Sequence, residues 1–431
     1  MIELNERADE SVAVGDDLAA RELLAVSFAY PPAASPRAVQ VARLLKYLKV
    51  RTSLVCADFD EKDRIDPTLV REAEAPLARC LRVPFKRSAP RSLLARVAYK
   101  LDLPLVDRSP DQFTPWKPAV LSAVESFLRA GDYRADVLAT FGSPMSDHLI
   151  GLALKRRLGV PWVAHFSDPW VDNPFLPYDR LTRRVNRALE RRVLREADRL
   201  VFTSAETVEL VASKQGHWLS EKSRVLEHAF EPGLFDAPAA RADSEIVVRY
   251  VGDFYGRRTP APLFEALRRL LASEPLTLAG VRFELVGAKD ESQLEEGGLG
   301  ALPEGLVVSR PTVGYLESLR LMRESDGLLV IDAPAELSVF LPSKLIDYVG
   351  AARPVCGITP RGAAASVIQR LGGWVAAPSD TAGVAETLKS FIAFLRENRG
   401  QAAWGDAAAR SVFEAPAVAE KFAAILREVL R

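Results

Sequence analysis

Leu341-Pro-Ser343-Lys344-Leu-Ile-Asp347-Tyr348-Val-Gly350-Ala-Ala-Arg-Pro354-Val355 is the stretch whose reading decides the fold. Before it, Asp326-Gly-Leu-Leu-Val-Ile-Asp332 is a short apolar run between acids, the pattern of a buried parallel strand. Ala333 to Leu341 then reads as a loop, and Pro342 and Ser343 stand where a helix begins. Gly350 weakens that helix, and Pro354-Val-Cys-Gly-Ile358 reads as the next strand. In an open parallel sheet such a loop lies at the carboxyl ends of the strands, and the new helix aims its N–H groups at an anionic guest. Lys344 falls in the first turn, with Asp347 and Tyr348 three and four residues on. A cation beside phosphate and a carboxylate taking ribose hydroxyls fit that spacing. So does an ordinary helix with a surface lysine and an exposed aspartate.

At 431 residues the chain exceeds one ordinary core, so two domains of roughly 200 residues are expected. Apolar content of 48% and charged content of 26% are those of a globular protein. No apolar run reaches the length of about 18 residues that a membrane span needs. Residues 1–20 are acidic where a secretory signal would be basic, which predicts a loose tail and a cytoplasmic protein. Cys56, Cys80 and Cys356 are widely separated, so buried free thiols are expected. His148, His165, His217 and His228 show no metal-ligand spacing, and no metal site is expected. The formal net charge of zero argues against nucleic acid as a partner.

Taken in order, Glu22 to Phe28 predicts a strand, Ala29 to Pro36 a proline-rich loop, and Ala38 to Tyr47 a helix. Strands follow at Thr52 to Ala57, Asp136 to Thr140 and Pro161 to Phe166, the middle one leading through Phe141-Gly-Ser143-Pro-Met145 into a helix. Residues 231–244, rich in proline and small polar groups, read as a linker. Ile246 to Val251 restarts the pattern, with a loop from Gly252 to Thr259 and a helix from Pro260. Strands at Arg282 to Val286, Leu306 to Val308 and Gly373 to Ala376 complete it. The expectation is an α/β fold of two Rossmann-like domains, residues 21–230 and 245–412, facing a central cleft. A final helix is expected within 413–431.

With both halves laid out, the plan from Leu23 to Arg431 resembles glycosyltransferase family 4 and its bacterial relatives of the two-domain GT-B fold. The resemblance is carried by Tyr30-Pro-Pro32 with Arg37, Asp136 to His148, Trp162-Val-Ala-His-Phe-Ser-Asp-Pro-Trp170, Ala197-Asp198, Val201 to Ser204, Val251-Gly-Asp-Phe-Tyr-Gly-Arg-Arg258 and the opening stretch. It implies that the final helix packs back on the first domain. It also implies metal-independent transfer of a sugar, with no cofactor beyond a nucleoside diphosphate-sugar donor. That donor would be held by Gly252, Arg257, Arg258, Glu336, Ser343, Lys344 and Asp347. Arg258 stands where the family usually has a phosphate-binding lysine, and Asp347 where it has the second glutamate of a pair. On the acceptor side the resemblance implies Tyr30, Arg37 and Ser143, with His165 and Asp168 as catalytic residues. His165 would contact a hydroxyl or developing charge, and Asp168 would orient it or serve as base. The acceptor would be a glycan or a polyprenyl-linked sugar, the outcome retention, and the setting bacterial surface polysaccharide or glycolipid assembly.

Val339 falls where the family has the first glutamate, and Asp253 where it often has arginine. These departures keep open a nucleotide-sugar epimerase or a non-catalytic glycan- or nucleotide-binding protein on the same fold. Residues 85–103 set Leu93, Leu94, Val97 and Leu101 among basic residues at helical spacing. That run fits either a peripheral contact with an anionic membrane or an amphipathic helix packed on its own domain. Arg183, Arg184, Arg187, Arg191, Arg192 and Arg195 in a predicted helix from Arg180 to Arg199 read as encircling it.

Overall fold

The computed structural model describes residues 17–59, 65–72, 76–85, 109–131, 133–176, 178–236, 244–287, 291–399 and 403–431. In chain order the first half supplies β1 (Glu22–Val26), β2 (Arg51–Asp58), β3 (Arg79–Pro84), β4 (Val137–Phe141), β5 (Trp162–Phe166), β6 (Arg199–Phe202) and β7 (Ser223–Val225). They lie side by side as β3-β2-β1-β4-β5-β6-β7. The second half supplies β8 (Ile246–Val251), β9 (Val281–Val286), β10 (Val307–Arg310), β11 (Gly327–Ile331), β12 (Val355–Ile358) and β13 (Trp374–Ala376). Their order is β10-β9-β8-β11-β12-β13.

The central pairs of both sheets are parallel: β1 with β2 and β4, and β8 with β9 and β11. Helices cover both faces, so central strands such as β4 and β5 are buried along their whole length. In each sheet the chain winds one way and then the other from its first strand. The loops after β1 and β4, and after β8 and β11, therefore part at a crevice outside the strand ends, where α/β sheets bind ligands.

The helix Pro36–Tyr47 starts two residues earlier than predicted, because Ser35 caps it by accepting from the Ala38 N–H and Pro36 needs no partner at a first position. The helix Ser343–Ala351 runs through Gly350 instead of fading there. A Cβ on Gly350 would lie 2.6 Å from the ring of Phe235 and 2.8 Å from that of Phe230, so the glycine serves close packing. The helix Arg180–Glu196 buries Asn186, Glu190, Val193 and Leu194, and its arginines occupy the broad outer side and do not encircle it. Cys56 and Cys356 are buried, but Cys80 is exposed and its Sγ lies 3.7 Å from that of Cys56. Residues 86–103 of the basic run lie outside the described residues. Among the described residues no helix is long and apolar enough to cross a membrane.

The last helix, Ala415–Leu430, buries Val418, Ala419, Phe422, Ile425 and Leu426 in one cluster with Leu23, Val41 and Val137 of the first half. Glu428 near its end accepts from Arg199 at 2.8 Å and Arg224 at 2.7 Å. The chain thus crosses between halves twice, and the crossings pair with each other. The Phe230 N–H donates to the Phe413 carbonyl, and the Ala415 N–H to the Phe230 carbonyl, both at 2.9 Å.

Candidate active site

The cationic wall of the crevice is built where β8 and β11 end. Gly252 follows β8 with φ +136°, a conformation L side chains rarely adopt, and a Cβ there would collide with the Lys344 ammonium. That ammonium reaches across from the first turn of the Ser343–Ala351 helix to lie 3.9 Å from the centroid of the Tyr250 ring. It is buried and has no hydrogen-bond partner among the described residues. Burial, reinforced by the neighbouring Arg258 and opposed by Asp332 and Asp253, pushes its pKa well below the ordinary lysine value.

Arg258 is only 4% exposed. One terminal nitrogen donates to Asp332 Oδ1 at 2.8 Å, while its Nε has no partner. Asp332 also accepts from Ser338 Oγ at 3.1 Å and from the Ala333 N–H at 2.9 Å. Arg258 thus holds a carboxylate that is already well occupied, and Lys344 beside it has no hydrogen-bond partner among the described residues. Donors left over beside a helix N-terminus form a seat for an anion.

The other predicted donor residues are placed unevenly. Ser343 is the first residue of that helix and half-buried, whereas Arg257 and Glu336 are exposed on their loops. Asp347 does not face the crevice as a free ribose ligand. Its Oδ1 accepts from Arg43 Nη1 at 2.9 Å and from the Tyr315 hydroxyl at 3.2 Å. Arg43 belongs to the Pro36–Tyr47 helix, so this buried ion pair joins the two domains.

On the opposite wall, Arg37 is buried with one terminal nitrogen 3.0 Å from both the Nδ1 and the carbonyl oxygen of His165. Burial first and Arg37 second hold the His165 imidazole well below the usual histidine range, so it is neutral and accepts from the guanidinium. The Nδ1 and carbonyl of His165 are thus both taken up by Arg37 inside the fold. Tyr30 is likewise buried, in the cluster beneath the last helix.

Ser143 and Asp168 do meet. Both line a cavity of about 640 Å³ outside the ends of β1, β2, β4 and β5. Asp168 Oδ2 accepts from Ser167 Oγ at 3.0 Å, and burial raises its pKa above the usual aspartate value against the pull of Ser167 and Arg37. The sequence reading missed the rest of this cavity, notably Phe28, Phe59, Phe113 and Asp111. Their only signal was position just past a strand or in a loop, shared by many residues that do nothing.

The walls approach through the segment after β5. Phe175 packs against Tyr255 at 5.7 Å and Phe340 at 5.2 Å between ring centroids. Ser204 Oγ and Thr207 Oγ1 donate to the Val339 carbonyl at 2.6 and 3.1 Å. The residue in the expected glutamate position thus offers its backbone to the other domain.

Two doubly wound parallel sheets facing a crevice, with a last helix that returns to the first domain, give the chain the GT-B fold. Within it, residues 33–226 match the family described as Glycosyl transferase 4-like domain. No curated protein matches the chain by sequence. Among solved structures it is similar to sucrose-phosphate synthase from Thermosynechococcus elongatus, with TM-score 0.65 and 16% identity over 95% of this chain and 98% of that one. Anabaena HepE in complex with UDP and glucose gives TM-score 0.61 and 14% identity over 95% of this chain and all of that one. The lipopolysaccharide outer core galactosyltransferase WaaB gives TM-score 0.59 and 12% identity over 94% of this chain and 99% of that one. At these identities the likeness is one of fold.

Proposed function

We propose that the chain transfers a sugar from a nucleoside diphosphate-sugar to an acceptor hydroxyl, with retention and with no cofactor beyond the donor. The observation that carries this reading is the unpartnered, buried ammonium of Lys344 beside Arg258 at a helix N-terminus. Such a seat is costly empty and favourable when a diphosphate fills it. HepE, of the same fold, has been solved with UDP and with UDP-glucose, which supports uridine as the base.

In the reaction the bond from the sugar C1 to the diphosphate oxygen breaks and its electron pair leaves with the diphosphate. Lys344, Arg258 and the helix dipole stabilise that charge more than the charge of the intact donor. The acceptor oxygen bonds to C1 and its proton passes to the departing diphosphate. Asp168 orients the acceptor hydroxyl from the facing wall. Assembly of surface polysaccharide or glycolipid suits this chemistry, and the likeness to WaaB supports it.

Peripheral contact with an anionic membrane is favoured by the outward arginines of Arg180–Glu196 and by exposed Leu176 and Leu181 at its start.

The test is thermal unfolding with UDP, UDP-glucose and the other nucleoside diphosphates. A ligand at a hundred times its Kd stabilises by about 2.7 kcal/mol, which is several degrees in Tm. Lys344→Met is expected to abolish the shift while folding normally. A well-folded protein that shifts with none of these ligands overturns the reading.

A further inference from the structure

The cavity that holds Ser143 and Asp168 has a chemistry unlike that of a site for a bare sugar. Its floor is a cluster of rings around Phe28, with Phe113 at 4.4 Å, Phe85 at 5.3 Å and Phe59 at 5.6 Å between centroids, backed by the buried Trp116 at 5.1 Å. Leu176, 45% exposed, continues the apolar wall at the mouth. The charged residues among its described lining are Asp58, Asp111 and Asp168, all acidic; no lysine, arginine or histidine lines it there.

A bare sugar ring carries hydroxyls all round its rim, and the few polar groups among the described lining residues would leave many of them without partners. A phosphate-tethered acceptor would set its charge against three carboxylates, with no cation among the described lining residues to receive it. A hydrocarbon skeleton, by contrast, loses only water on entering, and about 640 Å³ lies within the range of small-molecule sites.

We infer that the acceptor carries its reacting hydroxyl on an uncharged apolar skeleton, which lies against Phe28, Phe59, Phe113 and Leu176 with the hydroxyl toward Asp168. The inference rests on the sugar-transfer reading and deepens it. It replaces a polyprenyl phosphate with a neutral lipid or glycolipid alcohol. The apolar part enters the first domain, opposite the cationic wall that holds the donor. Anionic groups are thereby sorted to one wall and hydrocarbon to the other.

The experiment compares two probes with one chain and different heads, octyl β-glucoside and octyl phosphate, titrated calorimetrically below their micelle concentrations. The neutral probe is expected to bind with a negative heat-capacity change and roughly tenfold or more tighter than the phosphate. Phe59→Ala and Leu176→Ser are each expected to weaken it by about fivefold or more while the UDP-induced rise in Tm stays. Leu176 is exposed, so its variant keeps the test valid if Phe59→Ala fails to fold. Equal or tighter binding of octyl phosphate overturns the inference, as does neutral binding that both variants leave intact. No binding of the neutral probe in protein that still responds to UDP also overturns it, because the donor reading then survives alone. Loss of the UDP response with the neutral probe still bound sinks the donor reading instead.

Discussion

Lys344 shows what a single residue contributes when its surroundings are built against it. Burial lowers its pKa in the free protein, and a bound diphosphate raises it again. Between the two values the complex holds a proton that the free protein lacks, so binding takes up a proton and UDP affinity falls as pH climbs through that window. Calorimetry in buffers of different ionisation enthalpy, repeated as the pH is raised toward the ordinary lysine range, should register this uptake. Lys344→Met should remove it along with most of the affinity. The places of Arg258 and Lys344 were legible in the sequence because one lies in the loop after a central strand and the other in the first turn of the helix that follows such a loop, positions that topology alone aims at the crevice. What Asp347 and His165 bond to was not legible, for the opposite reason. Their partners, Arg43 and Arg37, lie 304 and 128 residues away, and no spacing announces such a pairing.

At the scale of elements, central strands were readable as apolar runs because both their faces are covered. The edge strands of the first sheet were not. β3 has a mixed, largely exposed pattern and β7 is three residues long, so neither stands out from a loop. The helix Pro36–Tyr47 carries a duty its sequence hides: Arg43 on it holds Asp347 on the Ser343–Ala351 helix. Arg43→Met leaves that carboxylate buried without its cation and is expected to cost about 3–5 kcal/mol in urea unfolding. The double variant Arg43→Met, Asp347→Leu should recover much of the loss, since a matched apolar pair has no charge to strand. If the double variant is no more stable than the single one, the ion pair is not what holds these helices together.

For the whole molecule, the last helix is a component of the first domain's core that the chain supplies last. Phe422, fully buried 6.0 Å from the Phe141 ring, is the residue to remove. Phe422→Ala should cost about 3–5 kcal/mol, read as a lower urea midpoint, and should loosen both halves because the helix is tied to one and follows from the other. The two-domain plan was visible in the repeat of strand, loop and helix, whereas this dependence of the first half on the final residues was a matter of packing. The paired crossings at Phe230 and Phe413 to Ala415 bear on motion. Two chain segments bonded side by side behave as a strap of some width, not a single thread. A strap folds readily about one line and resists torsion. Distances between labels on the two domains should therefore spread along one direction with nucleotide absent and contract along it with nucleotide bound. The crevice then shuts like a book on its spine, each wall meeting the same place on the other at every turnover.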